Sequence, residues 1–141
     1  MVDNNNNKDD LSASNLDFNF KYTESGGLTA RYLTISYDSK TNVLASSTDV
    51  SGSNISQRPI SESDKSGLKN AITENDFFNT KTDYPPEKED DPTLVAYSLA
   101  ITMGSDKTHT TAWTNTSKGM PGNIKKVVDE IKKVVDKEKA V

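Results

Sequence analysis

The sequence predicts an α+β fold: a small antiparallel sheet built from hairpins, with two main helices packed on one of its faces. Three observations carry this expectation. Leu16, Phe18, Phe20 and Tyr22 alternate with Asp17, Asn19 and Lys21, a period of two that gives a strand one apolar face. Val95, Tyr97, Leu99, Ile101 and Met103 repeat that pattern later in the chain. Two further segments, one with Leu68, Ala71 and Ile72 and one with Ile124, Val127, Val128, Ile131, Val134 and Val135, space their apolar residues by three and four, as an amphipathic helix does.

Each element has a boundary signal. Ser25-Gly26-Gly27 accepts positive φ and closes the first strand, after which Leu28–Tyr37 resumes strand character with Leu33, Ile35 and Tyr37 on one face. Asn42–Ser47 and Ile55–Ile60 are shorter strand candidates around a loop containing Gly52. Ser61-Glu62-Ser63-Asp64 resembles a capping box with Asp in the last place, predicting a helix over Glu62–Glu74. Asn75 tolerates the left-handed conformation that ends helices, and Phe77 and Phe78 behind it are expected to plug the core. Asp83–Pro92, with three prolines and five acidic residues, predicts an exposed irregular loop. The second hairpin, Leu94–Trp113, turns at Gly104-Ser105-Asp106, and Pro121 suits the first turn of the final helix. The expected core is Leu16, Phe18, Phe20, Leu33, Ile35, Leu68, Ile72, Phe77, Phe78, Tyr97, Leu99, Ile101, Ile124, Val128, Ile131 and Val135.

The 141 residues suit one domain, expected over 16–138 behind a flexible Asn/Asp-rich leader over 1–15. Hydrophobic residues make up only 32%, whereas 44 residues are Asn, Ser or Thr. The core must be small, and polar strands and loops dominate the surface. The net charge is −4 and only Arg31 and Arg58 are arginines, which argues against nucleic-acid binding, because phosphate neutralisation needs a basic face. No apolar stretch approaches the ~18 residues of a membrane span, so no membrane insertion is expected. Met1–Asp10 holds no apolar stretch of signal-peptide type. The protein is expected either to be cytoplasmic or to be exported with its leader absent from this sequence.

Candidate chemistry is sparse. The chain has no cysteine and one histidine, so a disulfide framework, a thiolate metal site and a multi-histidine site are all excluded. His109, between Thr108 and Thr110, reads as a surface strand residue. Asp83, Glu87, Glu89, Asp90 and Asp91 lack the spacing of a regular calcium loop and read as a solvated acidic loop. The final helix alternates Lys125, Lys126, Lys132, Lys133, Lys137 and Lys139 with Asp129, Glu130, Asp136 and Glu138, the pattern of a solvated outer face. Asn54-Ile55-Ser56 and Asn115-Thr116-Ser117 are glycosylation sequons, meaningful only after export. No acid, base and nucleophile constellation emerges. The expectation is a protein that is not an enzyme, with no catalytic residue, metal, cofactor or small-molecule substrate, presenting loops on a stiff platform.

The order of motifs resembles the emfourin family. Ser25-Gly26-Gly27 closes a first strand, a leucine-spaced helix runs into Asp76-Phe77-Phe78, and an acidic proline loop brings Asp91 ahead of Tyr97-Ser98-Leu99-Ala100-Ile101. Thr108-His109-Thr110 and a helix behind Pro121 complete a likeness covering about Phe18 to Val135. Emfourins are small protein inhibitors of thermolysin-type zinc metalloproteases. The resemblance implies a small α+β domain that binds such a protease and blocks its active-site cleft. Ser25, Gly26 and Gly27 are the candidate contact residues, because glycines let main chain approach a cleft closely. Asp38–Pro59 is longer than the resemblance implies and reads as an extra hairpin or a partner-contact loop. The other reading of the chain is a non-inhibitory binding module of an exported or surface-tethered protein.

Overall fold

In the computed structural model, which describes residues 17–28, 31–48, 55–88, 90–104, 107–117 and 122–139, the alternating segment beginning at Phe18 lies inside the sheet. Strands β1 (Phe18–Gly26), β2 (Arg31–Asp38), β3 (Val43–Ser47), β4 (Ile55–Arg58), β5 (Val95–Met103) and β6 (Lys107–Thr114) form one antiparallel sheet in the order β4-β3-β2-β1-β5-β6. Four strands follow one another as a meander. The chain then crosses through helix α1 (Glu62–Glu74) and a 3-10 turn (Phe77–Asn79), places β5 against the free side of β1, and ends in β6 and helix α2 (Gly122–Lys139). The two predicted hairpins thus join through β1 and β5. The segment expected as hairpin or contact loop supplies β3 and β4, with residues 49–54 outside the described set, as are Leu16 and the predicted leader.

Register puts the apolar residues into rows. Phe20 faces Tyr37 and Ile101, and Tyr37 faces Leu44; Tyr22 faces Ile35 and Leu99. All seven are buried and share a cluster with Leu68 and Ile72 of α1, Phe77, and Ile124, Val127, Val128, Ile131, Val134 and Val135 of α2. The same alternation turns Asn19, Lys21, Thr23, Thr34, Ser36, Ser98, Ala100 and Thr102 to the opposite face, where none is buried. A sheet with one such apolar face needs one covering layer, and the two helices supply it. They run antiparallel. Asn123 Nδ2 near the start of α2 donates to Asn75 O at the end of α1 (2.6 Å), while Ser63, Asp64 and Gly67 near the start of α1 share a cavity with Glu130, Lys133 and Val134.

Several local expectations are met and others shift. Ser61 caps α1, its Oγ accepting from Asp64 N (3.1 Å). The left-handed residue behind α1 is Asp76 (φ 53°), whereas Asn75 keeps negative φ (−94°) and uses its side chain to donate to Ala71 O (2.7 Å). That displacement aims Phe77 into the core and leaves Phe78 half-buried, with Lys107 Nζ 5.9 Å from its ring centroid. Leu33 and Tyr97 also pack against the core without full burial. Both flank a charged side chain described below. Tyr37, Leu44, Ile60, Tyr84 and Trp113, absent from the expected core, are buried in it.

The β6 edge is covered by the chain itself. Ala112 N donates to Thr82 O (3.0 Å), Tyr84 N donates to Ala112 O (2.8 Å), and the fully buried Thr111 hydroxyl donates to Lys81 O (2.5 Å). Covering an edge in this way removes a template for unwanted strand pairing.

Two predictions test this architecture. Ile131 is 1% exposed in the α2 stripe, so Ile131→Ala should lower the free energy of urea unfolding by about 2–5 kcal/mol, while Lys126→Ala on the exposed side should change it by less than about 0.5 kcal/mol. Desolvation, reinforced by the Glu62 and Asp38 carboxylates, pushes the Tyr37 phenol from 10.0 up to about 12. The fold therefore holds the Tyr37 proton more tightly than the unfolded chain does. This contribution to stability is complete below pH 10.0 and is lost as pH rises through about 12. Urea midpoints across that window should fall less steeply in Tyr37→Phe than in the wild type.

Candidate functional site

The sequence-predicted contact residues form the turn between β1 and β2. Ser25 and Gly26 close β1 and pair with Tyr32 and Arg31 on one side and with Ala96 and Val95 on the other. Gly26 (φ 109°) and Gly27 (φ 83°) both take conformations that side-chain-bearing residues rarely adopt. At Gly26 space is decisive as well, since a Cβ there would lie 2.7 Å from Leu94 O. The same carbonyl accepts from Gly27 N (2.8 Å), fastening the turn sideways to the start of β5. Leu28 follows at the tip and is 76% exposed. Thr29 and Ala30 lie outside the described residues.

Two more turns meet at this end of the sheet. Asp91 Oδ1 accepts from Thr93 N (2.8 Å) and Thr93 Oγ1 (2.7 Å). Those bonds, the hydroxyl first, hold the Asp91 carboxyl below its usual range. Leu94 N donates to Asp91 O (3.1 Å). Asn115 accepts from Val95 N through Oδ1 (3.0 Å) and donates through Nδ2 to Thr93 O (3.2 Å). The 91–94 and 115–117 turns are therefore laced to each other and, through Leu94, to the glycine turn. The Asn115 sequon has a structural use: its amide is committed to the backbone of Thr93 and of Val95 at the start of β5. The other sequon begins at Asn54, outside the described residues.

Beneath the turn lies a buried charge. Glu24 points to the helix-covered face, between Leu33 and Tyr97, and is 3% exposed. Its Oε2 accepts from the Tyr22 hydroxyl (2.5 Å) and pairs with Lys132 Nζ (2.6 Å) from α2. Lys132 Nζ also lies 5.6 Å from the Tyr22 ring centroid, a distance at which a cation is attracted to an aromatic face. Tyr97, across the ladder from Glu24, stacks on Trp113 at 5.6 Å and 12°.

The remaining candidates take structural parts. His109 is half-buried on the helix-covered face, not on the open surface, because its ring packs edge-on against Phe77 at 5.3 Å. Thr80 Oγ1 gives its proton to Phe77 O (2.7 Å) and so accepts from His109 Nε2–H (3.1 Å). Asp83, Glu87 and Asp90 are exposed, and among the described residues no three His, Cys, Asp or Glu side chains gather as metal ligands. Lys125, Lys126 and Lys133 face solvent as expected, while Lys132 turns inward to Glu24; the side chains of Lys137 and Lys139 are outside the described set. Among the described residues no helix is long and apolar enough to cross a membrane. A cavity of about 430 Å³ lies between Ile72, Asp76 and Phe78 on one side and Met103, Lys107 and Thr108 on the other.

Sequence reasoning missed Leu28, Glu24 and Lys132. Glu24 had a signal: it continues the alternation of Phe18, Phe20 and Tyr22 and so falls on their face. Its partner had none, because the pairing is set by how α2 crosses the sheet.

Gly26→Ala should lower stability by about 1–3 kcal/mol, because positive φ and the Leu94 carbonyl both oppose a Cβ there. Leu28→Ala should leave it within about 0.5 kcal/mol of the wild type, and urea denaturation distinguishes the two. No protein-family model and no curated protein matches the chain.

Proposed function

We propose that the chain is a protein inhibitor that docks the β1–β2 turn into the active-site cleft of a thermolysin-like zinc metalloprotease and blocks it without chemistry of its own. The observation that carries this reading is Leu28: a large apolar side chain 76% exposed, directly behind two glycines whose backbone is fastened to Leu94. An exposed apolar residue beside a tethered backbone is suited to enter an apolar pocket of a partner, and the tether limits the freedom lost on docking. The glycines supply the second requirement. Main chain without Cβ atoms approaches a cleft closely, and residues at φ 109° and 83° do not lie in the extended form that exposes a peptide bond to attack by metal-activated water. The order of motifs from Ser25-Gly26-Gly27 to the helix behind Pro121 supports the choice of protease class. No residue of this chain need act as acid, base or metal ligand in such a role.

A second reading, the non-inhibitory binding module of an exported or surface-tethered protein, draws support from the sheet face opposite the helices. Thr34, Thr23, Ser98 and Ala112 form one row there, and Ser36, Lys21, Ala100 and Thr110 form the next.

Titrating several thermolysin-type proteases with the purified protein separates the two. The inhibitor reading expects saturable inhibition at equimolar protein, weakened about 30-fold or more by Leu28→Asp at unchanged thermal stability. Absence of inhibition at micromolar protein across such enzymes would overturn it and leave the binding-module reading.

A further inference from the structure

We infer that Glu24 and Lys132 are positioning residues, whose ion pair ties the end of β1 to α2 and so fixes the direction in which the turn presents Leu28; the inference rests on the turn being the contact site. Glu24 is two residues before Gly26 and in a row whose other members, Leu33, Tyr97 and Trp113, are apolar or aromatic. Burial there strips water from a carboxylate, which is tolerated only when the protein replaces the lost partners. Tyr22 and Lys132 do so. An apolar side chain would cover Leu33 and Tyr97 without the desolvation of the Glu24 carboxylate, whose lysine partner stays 42% exposed, and exchanging a buried charge and its partner for hydrophobic residues is often neutral or stabilising. Stability alone therefore does not account for a charge at this position. What the pair supplies and an apolar contact lacks is direction, through a short charge-assisted bond along one line.

The location makes direction matter. Gly26 is the last rung of the ladder and Gly27 leaves it, both at positive φ and without side chains to lock the turn by packing. One tether, from Gly27 N to Leu94 O, holds the turn within the plane of the sheet. Glu24 to Lys132 holds the strand end against the helix layer, out of that plane. Together the two contacts restrain the backbone leading into Leu28 in two directions.

The test uses the full chain with Lys132→Met and the double variant Glu24→Leu/Lys132→Leu. Three measurements are made: hydrogen exchange at the Gly27 amide relative to the Leu99 amide in mid-sheet, thermal unfolding, and inhibition of a protease that the wild type inhibits. Positioning predicts Gly27 exchange accelerated about tenfold relative to Leu99 in both variants, as local opening without global unfolding would give. It also predicts inhibition weakened about tenfold through faster dissociation, with the double variant melting at or above the wild type. Unchanged relative exchange at Gly27, or equal acceleration at Gly27 and Leu99, would show the pair to be merely structural and overturn the inference. If the double variant fails to fold, Lys132→Met decides, because the Lys132 side chain is 42% exposed and its stem is kept. If the wild type inhibits no protease, the contact-site reading fails, and the exchange ratio still decides whether the pair holds the turn.

Discussion

The burial of Phe18, Phe20 and Tyr22 beneath the helix pair is the interaction on which the rest of the structure depends. β1 is flanked by β2 and β5 along its whole length, so every other element takes its place by reference to this strand. Its inner side chains meet Tyr37, Ile35, Leu99 and Ile101 in the sheet and share one core with both helices. Only 32% of the chain is hydrophobic, and concentrating those residues on one sheet face and two helix stripes closes a single core from so few.

With one face committed, the sheet's other liabilities are its edges and ends. The edge at β6 is sealed by Lys81–Tyr84, where backbone bonds to Ala112 and a hydroxyl bond from Thr111 make a short extra rung. Asn42 does comparable work at the β2–β3 turn. Its left-handed backbone (φ 53°) turns the chain, its Oδ1 accepts from the Tyr37 hydroxyl, and its Nδ2 donates to Ile60 O. One small amide thus joins the meander to the entry of α1. Side chains of this kind explain why a chain rich in Asn, Ser and Thr holds a definite fold: short polar groups close backbone gaps that a larger apolar core would otherwise have to enforce.

At the opposite end the same chemistry holds the turns to one another. Asn115, Asp91 and Thr93 lace two turns together, and Leu94 passes that rigidity to Gly27. Under the proposed inhibitor reading, mutually bonded turns would lose little conformational freedom when a partner arrives, which decides affinity more than contact area does. Glu24 and Lys132 belong to the same logic. They place a buried carboxylate and its partly exposed lysine partner in an otherwise apolar row, close to where β1 leaves the ladder.

The local pattern of the chain determined the α+β class, the two long hairpins, both helices, the Ser61 cap and the glycine turn, because each depends on residues within a few positions of one another. Period-two and period-three-to-four spacing, a hydroxyl three residues ahead of an amide, and glycines at positive φ are short-range physics. Tertiary structure alone decided that β5 lies beside β1, that Asp38–Pro59 extends the sheet rather than standing as a separate loop, that His109 turns inward, and that Lys132 reaches Glu24. The candidate site divides along the same line. Ser25, Gly26 and Gly27 were legible as a turn. The exposure of Leu28, the Leu94 tether and the buried pair were not, because each depends on which distant segment folds against the turn, and that is settled by the order of strands and the path of α2 across the sheet.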